Sequence, residues 1–123
     1  MTEGLLRALA LKALPRAGWV RRGVHAPESV AAHSWGVSLL VLALLPDELD
    51  LRRALTYAVL HDLPEALAGD WTPHDGPREA KVRAEHAAMD ELGRRLPRGA
   101  SLAETWRAYE AQGDPEARFV RQL

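Results

Sequence analysis

The adjacent pair His61-Asp62 is the feature of this chain that most directly suggests chemistry. The preceding stretch, residues 54–60, carries polar groups only at Thr56 and Tyr57, so it predicts a helix that is buried nearly all round. Two ionisable groups at the end of such a helix would be desolvated unless a partner such as a divalent cation compensated them. Imidazole nitrogen and carboxylate oxygen suit Mn, Fe, Co, Ni, Zn or, with further oxygen ligands, Mg. The alternative is that both side chains only cap the helix end.

A second histidine, His33, lies on the helix predicted just before this one. Ser29 is a favourable N-cap for that helix, and His33 falls within its apolar stripe. If the two helices pack antiparallel, His33 can approach His61. A histidine on an apolar face is also commonly an ordinary core residue, so both interpretations stay open here. The other histidines, His25, His74 and His86, are expected at the solvent-exposed surface.

Carboxylates follow the His-Asp pair at short spacing. Glu65 lies four residues after His61 and three after Asp62, which on a helix returns its side chain to the same face. A carboxylate beside a metal-bound water can transfer protons. The alternative is an exposed glutamate at a helix end, because Pro64 could kink the helix and turn Glu65 away. Asp70 could reach the same region or anchor a turn.

The loop of residues 15–28 combines a tryptophan with three arginines. Arg16 could bind a phosphate through paired hydrogen bonds, and the indole of Trp19 could stack on a base. The alternative is an interfacial tryptophan covered by arginine stems.

The elements that must position these residues are helices, because apolar residues recur at helical spacing along most of the chain. The sequence predicts an all-α bundle of about six helices. Their expected ranges are 2–14, 30–45, 51–62, 77–96, 101–112 and 114–123, with a short helical turn at 65–67. Leu5, Leu6, Leu9 and Leu14 form one apolar stripe on the first helix. Ser101 with Glu104 has the spacing of a capping box that would start the fifth.

Composition excludes several classes of protein. The 123 residues, 47% of them hydrophobic, fit one domain, and the absence of cysteine excludes a disulfide scaffold or a cysteine-ligated metal site. A net charge of −1 gives no overall field that would attract nucleic acid or an anionic membrane. No apolar run approaches the roughly 20 residues of a bilayer span, and no basic signal segment begins the chain. We therefore expect a cytoplasmic protein that binds neither a nucleic acid polymer nor a membrane.

The order of His33, His61-Asp62, Glu65 and Gly69-Asp70 resembles that of the HD-domain metal-dependent phosphohydrolases. The segments PRAGWVRRGV, PESVAAHS, HDLPEALAGD and EARFVRQL are similar to the 5′-deoxynucleotidase, or HD domain-containing protein 2, branch of that family. The similarity extends over about residues 5–123. Several ordered blocks are far more specific than an isolated His-Asp pair.

The resemblance implies an HD-domain helical bundle that binds one divalent metal ion, such as Mn, Co or Mg. Carried over by position, the metal ligands are His33, His61 and Asp62. The family's fourth ligand is an aspartate directly after the block that ends here at Leu123, and further helices follow it. The resemblance therefore implies a single HD domain over residues 1–123 that lacks the family's final helices.

The resemblance also implies roles for four other residues. Glu65 matches an acidic residue implicated in catalysis, and Asp70 matches a carboxylate near the attacked phosphate. Arg16 and Trp19 match the loop that holds phosphate and nucleoside.

The implied reaction is hydrolysis of a nucleoside 5′-monophosphate to nucleoside and phosphate, by a homodimer. Two alternatives are a non-catalytic ligand-binding or interaction module and a phosphodiesterase that acts on a signalling nucleotide.

Overall fold

The structure, a computed structural model, describes residues 2–15, 29–68 and 76–123. Within these ranges it contains seven α-helices and one short 3₁₀ helix, Ala10–Lys12. The α-helices are α1 (Thr2–Leu9), α2 (Val30–Leu44), α3 (Leu51–Leu60), α4 (Glu65–Ala68), α5 (Arg78–Arg95), α6 (Gly99–Ala111) and α7 (Pro115–Arg121). The described ranges hold no strand, only an isolated bridge between Pro15 and Ser29. The predicted all-α fold is confirmed, and none of these helices is long and apolar enough to cross a membrane.

Side-chain caps fix the starts of three helices where the sequence predicts them. Ser29 accepts a hydrogen bond from the Ala32 N–H at 3.0 Å and so begins α2. Asp50 begins α3 in the same way. Asp114 begins α7 by accepting from the Ala117 N–H at 2.8 Å. Each cap joins residues three apart, so it needs no tertiary contact to form.

The expectations for the first helix were wrong in two respects. The α-helix ends at Leu9 and continues as the 3₁₀ helix, which has fewer residues per turn and therefore presents a different face. Leu11 becomes buried as a result, whereas Leu5, Leu6 and Leu9 are exposed. Of the predicted stripe, only Leu14 packs against the core.

The expected start of α6 was also wrong. The helix begins at Gly99, after Arg98 in the left-handed conformation with φ of 57°, and the capping box at Ser101 does not form. A Cβ atom on Gly99 would lie 1.9 Å from the carbonyl oxygen of Gly93, so only glycine allows α5 and α6 to approach this closely. The helix start is set by that contact.

Helix α3 takes part in both hydrophobic clusters of the core. Leu60 packs with Met89 and Trp106 of α5 and α6. Tyr57 packs in the second cluster, with Val41 of α2 and with α7. The C-terminal half of α3 therefore packs against helices on two sides. Residues 54–60 are less completely buried than the sequence predicted, because Val59 is exposed.

Helix α7 is bound to α3 by hydrogen bonds. The Tyr57 hydroxyl donates to Asp114 at 2.6 Å, and Arg53 donates to the same carboxylate oxygen through two nitrogens at 3.1 and 2.9 Å. Glu116 accepts from the Asp50 N–H at 3.1 Å. These contacts connect the start of α3 and its buried tyrosine to the first turn of α7.

Candidate metal centre

The structure brings the two predicted histidines together. His33 lies in the first turn of α2, and His61 is the residue that ends α3. Their ring centroids are 5.8 Å apart, with an angle of 64° between the ring planes. Helices α2 and α3 pack extensively against each other, and this packing brings the start of α2 to the end of α3.

Asp62 completes a group of three potential metal ligands. One ligand atom from each of His33, His61 and Asp62 can be chosen so that all three lie within 4.8 Å of one another. Bonds of about 2.0–2.2 Å to one ion place donor atoms roughly 3–4 Å apart, so small side-chain movements would close this cluster on an ion. All three residues are half-buried. The nitrogen and oxygen donors fit a divalent metal of the first transition series.

A backbone contact selects the tautomer of His61. Its Nδ1 lies 2.7 Å from the Ala58 carbonyl oxygen, and because a carbonyl can only accept, Nδ1 carries the proton. Neutral imidazole then offers its lone pair at Nε2, which lies 3.2 Å from a carboxylate oxygen of Asp62. Ligating histidines are commonly oriented by such a bond from the other ring nitrogen.

The electrostatics around His61 favour a positive charge at Nε2. Burial lowers the pKa of the His61 imidazole, but the hydrogen bond and the negative charge of Asp62, together with the Ala58 carbonyl, raise it above its ordinary value. The same arrangement that favours a proton between these two side chains also favours a metal cation.

Trp106 supports the His61 backbone, a role that sequence reasoning missed. The N–H groups of Leu63 and Glu65 bond to the carbonyls of Leu60 and Asp62. The carbonyl of His61 between them accepts the indole N–H of the fully buried Trp106 at 3.3 Å. An apolar position on a helix gives no signal of this contact in the sequence.

His86 packs against that tryptophan. Its ring lies edge-on to the indole, with 4.9 Å between the centroids. The residue is half-buried, so the expectation of solvent exposure was wrong. His25 and His74 lie outside the described residues.

Glu65 faces the candidate ligands. It begins α4 just after Pro64, and only 5% of it is exposed. It lines a cleft of about 290 Å³ together with His33, His61 and Asp62. Because Glu65 is buried after the break at Pro64, the interpretation as an exposed helix-end residue is wrong.

A second cleft, of about 240 Å³, adjoins the first. The two clefts share five lining residues: His61, Asp62, Lys81, Tyr109 and Arg121. The last three come from α5, α6 and α7. Sequence reasoning missed them, because a polar residue on the outer face of an amphipathic helix resembles any other solvated position until the packing of the helices is known.

Two groups on α6 add to the electrostatics of the clefts. Burial, with the charges of Asp62 and Glu110, raises the pKa of Tyr109 to about 12, so its hydroxyl is a hydrogen-bond donor at neutral pH. Burial also raises the pKa of Glu110. The charges of His86 and Lys81 act to lower the pKa of Glu110, and the charge of Asp62 acts to raise it.

The predicted substrate residues Arg16, Trp19 and Asp70 lie outside the described residues. Their roles stay predictions.

Comparison with known proteins agrees with the all-α fold and with the HD-domain resemblance. The profile of the HD domain matches residues 8–123. Proteins named 5′-deoxynucleotidase HDDC2 from Mus musculus and Homo sapiens are each 40% identical to the chain, over 98% and 92% of its length. The chain spans 64% and 57% of those two proteins, less than two thirds of either.

A solved structure from another organism has a similar fold and a similar sequence. The crystal structure of the PH0347 protein from Pyrococcus horikoshii OT3 superposes with a TM-score of 0.85 at 34% sequence identity. The match covers 98% of this chain and 70% of that one. On the profile match and these similarities, this chain belongs to the HD-domain family.

Proposed function

We propose that this chain carries the catalytic site of a metal-dependent phosphohydrolase that converts nucleoside 5′-monophosphates to nucleoside and phosphate. The observation that carries the proposal is the convergence of His33, His61 and Asp62 with the buried Glu65 in one cleft. The similarity to proteins named 5′-deoxynucleotidase supports a nucleotide as the substrate and a deoxyribose as its sugar.

One divalent ion, such as Mn, Co or Mg, would be held by His33, His61 and Asp62. When bound, such an ion lowers the pKa of a coordinated water and polarises the phosphoryl oxygens. The chain's own contribution is orientation. The Ala58 carbonyl keeps the proton on Nδ1 of His61, and Trp106 holds the His61 carbonyl.

Glu65 is the proton-transfer residue of the proposed reaction. Water oxygen bonds to phosphorus and loses a proton to Glu65, the bond from phosphorus to the 5′ oxygen breaks, and that leaving oxygen takes up the proton from Glu65. A carboxyl group in the same cleft as the metal ligands, screened from bulk water, is suited to relay this proton. Arg16 and Trp19 are proposed to hold phosphate and nucleoside, and Asp70 to orient the water.

The test is phosphate release from deoxynucleoside and ribonucleoside 5′-monophosphates, with Mn, Co or Mg added in turn to metal-stripped protein. We expect turnover that needs metal and is abolished by His61→Ala. Glu65→Gln should retain metal by elemental analysis but lose at least about a hundredfold in kcat, the range typical of acid–base groups. Glu104→Gln, an exposed glutamate on α6, is the matched control and should behave as the wild type.

Two results would replace this proposal by an alternative. Bound metal with no turnover of any nucleotide would favour a non-catalytic module. Faster hydrolysis of cyclic nucleotides or other diesters than of monoesters would favour a phosphodiesterase.

We also propose that the protein associates as a homodimer. Apolar side chains such as Trp35 and Leu42 on α2 are 68% and 57% exposed, and apolar surface of this kind favours association. Sedimentation of the protein across a range of concentrations tests this, and a monomer at high concentration would contradict it.

A further inference from the structure

Two cations reach the end of α3 from helices that supply none of the candidate metal ligands. Lys81 lies in the first turns of α5, and Arg121 is the last residue of α7. Both line both clefts, beside His61 and Asp62, whereas Arg78 lines only the second cleft. The fold therefore places an ammonium and a guanidinium group where the two clefts meet.

Among the residues that the structure describes, these two cations have no ion-pair partner of the kind that other basic residues have. Arg53 is paired with Asp114, and Arg107 with Asp90. Within the described ranges, neither Lys81 nor Arg121 has a carboxylate oxygen within 4.0 Å. Their charges nevertheless act on Glu110 and oppose the rise in its pKa, which places both near the same wall of the clefts.

Negative charge in the clefts opposes the entry of an anionic substrate, and the two cations could offset it. Asp62, Glu65, Glu85 and Glu110 contribute carboxyl groups to the clefts, and a divalent metal ion would offset two negative charges. A phosphate monoester carries close to two further negative charges at neutral pH. Additional positive charge is needed for such an anion to enter, and Lys81 and Arg121 are placed to supply it.

We propose that Lys81 and Arg121 together bind the phosphate oxygens of the substrate and of the released inorganic phosphate. This inference rests on the proposed function and adds two phosphate-binding residues to the site. The guanidinium group of Arg121 can form two parallel hydrogen bonds to phosphate oxygens, whereas Lys81 acts as a compact point charge. The candidate metal ligands come from α2 and the end of α3, so Lys81 and Arg121 add contacts from two further helices, α5 and α7.

The experiment measures binding of inorganic phosphate by titration calorimetry, in the presence and absence of Mn. We compare wild type, Lys81→Gln, Arg121→Gln and the double variant. Arg83→Gln is the matched control, because Arg83 is an exposed cation two residues along α5 that lines neither cleft. Each single change should raise the Kd for phosphate about tenfold, which corresponds to loss of one charged hydrogen bond. The control should stay within about twofold.

Steady-state kinetics supply a second measurement. Because the two cations hold the phosphate before and during the reaction, the KM for the nucleotide should rise with the phosphate Kd. The kcat should change less than KM. Arg121→Lys keeps the charge but not the two-pronged geometry, so it should recover part of the lost affinity. Thermal unfolding of every variant confirms that it is folded.

The outcomes separate this inference from the proposed function. Wild-type protein that binds no phosphate, or a folded double variant with unchanged Kd and KM, would overturn the inference even if turnover is normal. Weakened phosphate binding in both single variants supports it. If no nucleotide is hydrolysed while these binding changes are still seen, the proposed reaction fails and the anion site stands.

Discussion

The hydrogen bond from Tyr57 to Asp114 allows a quantitative prediction for Tyr57→Phe. Tyr57 is fully buried, and its hydroxyl lies 2.6 Å from the carboxylate that caps α7. Phenylalanine keeps the ring, including its packing against Tyr109 with 5.5 Å between centroids. The substitution therefore removes one hydrogen bond to a charged group and little else.

The expected cost follows from the remaining partners of Asp114. A hydrogen bond to a charged group contributes about 1.5–3 kcal/mol. Arg53 and the Ala117 N–H still bond to the carboxylate in the variant, so Asp114 is not left unpaired. We therefore expect the free energy of unfolding to fall by about 1.5–2 kcal/mol, at the lower end of that range.

Urea denaturation at pH 7 measures this change, and Tyr109→Phe is the matched control. The Tyr109 hydroxyl makes no hydrogen bond within the described part of the chain, so its removal should cost less than about 0.5 kcal/mol. A loss below about 0.5 kcal/mol for Tyr57→Phe, or equal losses for the two variants, would refute the reasoning.

The pH dependence gives an independent check. Burial raises the pKa of Asp114, but the hydrogen bonds from Tyr57, Ala117 and Arg53 outweigh it and hold the pKa below its ordinary value of 3.8. A lowered pKa in the folded state adds stability above pH 3.8 that is lost as the pH falls through the folded value. The difference between wild type and Tyr57→Phe should therefore shrink in acid. A difference that stays constant from pH 7 to pH 2 would contradict this explanation.

Three further predictions concern the helix contact and the candidate metal site. Gly99→Ala should destabilise the protein by at least about 2 kcal/mol, measured by urea denaturation, because the added Cβ overlaps the Gly93 carbonyl. Trp106→Phe removes the donor to the His61 carbonyl and should weaken Mn binding about tenfold by calorimetry, a typical effect of losing a supporting partner of a ligand. Unchanged affinity would show that the indole only fills space. Metal at a hundred times its Kd should raise the free energy of unfolding by about 2.7 kcal/mol, and the same metal concentration should give a much smaller rise in His33→Ala.

Short-range features of this fold could be predicted from the sequence. Helix starts at Ser29, Asp50 and Asp114 depend on a side chain and an N–H three residues later, so the local sequence is sufficient. The approach of His33 to His61 could be predicted too, because a helical apolar stripe and a short connection leave few ways to pack two helices.

Features that depend on packing could not be predicted in this way. Ser101 has good capping chemistry, but the close contact of Gly99 with Gly93 starts α6 two residues earlier. Leu5 and Leu9 have the right spacing for burial, but nothing in their own segment says whether a neighbouring helix will cover them. Local propensity loses to tertiary contact at each of these positions.

The cations that line the two clefts could not be predicted from the sequence either. Lys81 and Arg121 are separated by 40 residues on the polar faces of two helices, and only the folded arrangement places them beside Asp62. Arg121 ends α7, a helix only about 10 Å long whose first turn is fixed to α3 by Tyr57 and Asp114. The contact that stabilises the fold at one end of this short helix therefore also sets the position of the phosphate-binding cation at the other. Loosening the Tyr57 contact should for this reason weaken phosphate binding as well as stability, although Tyr57 lines neither cleft.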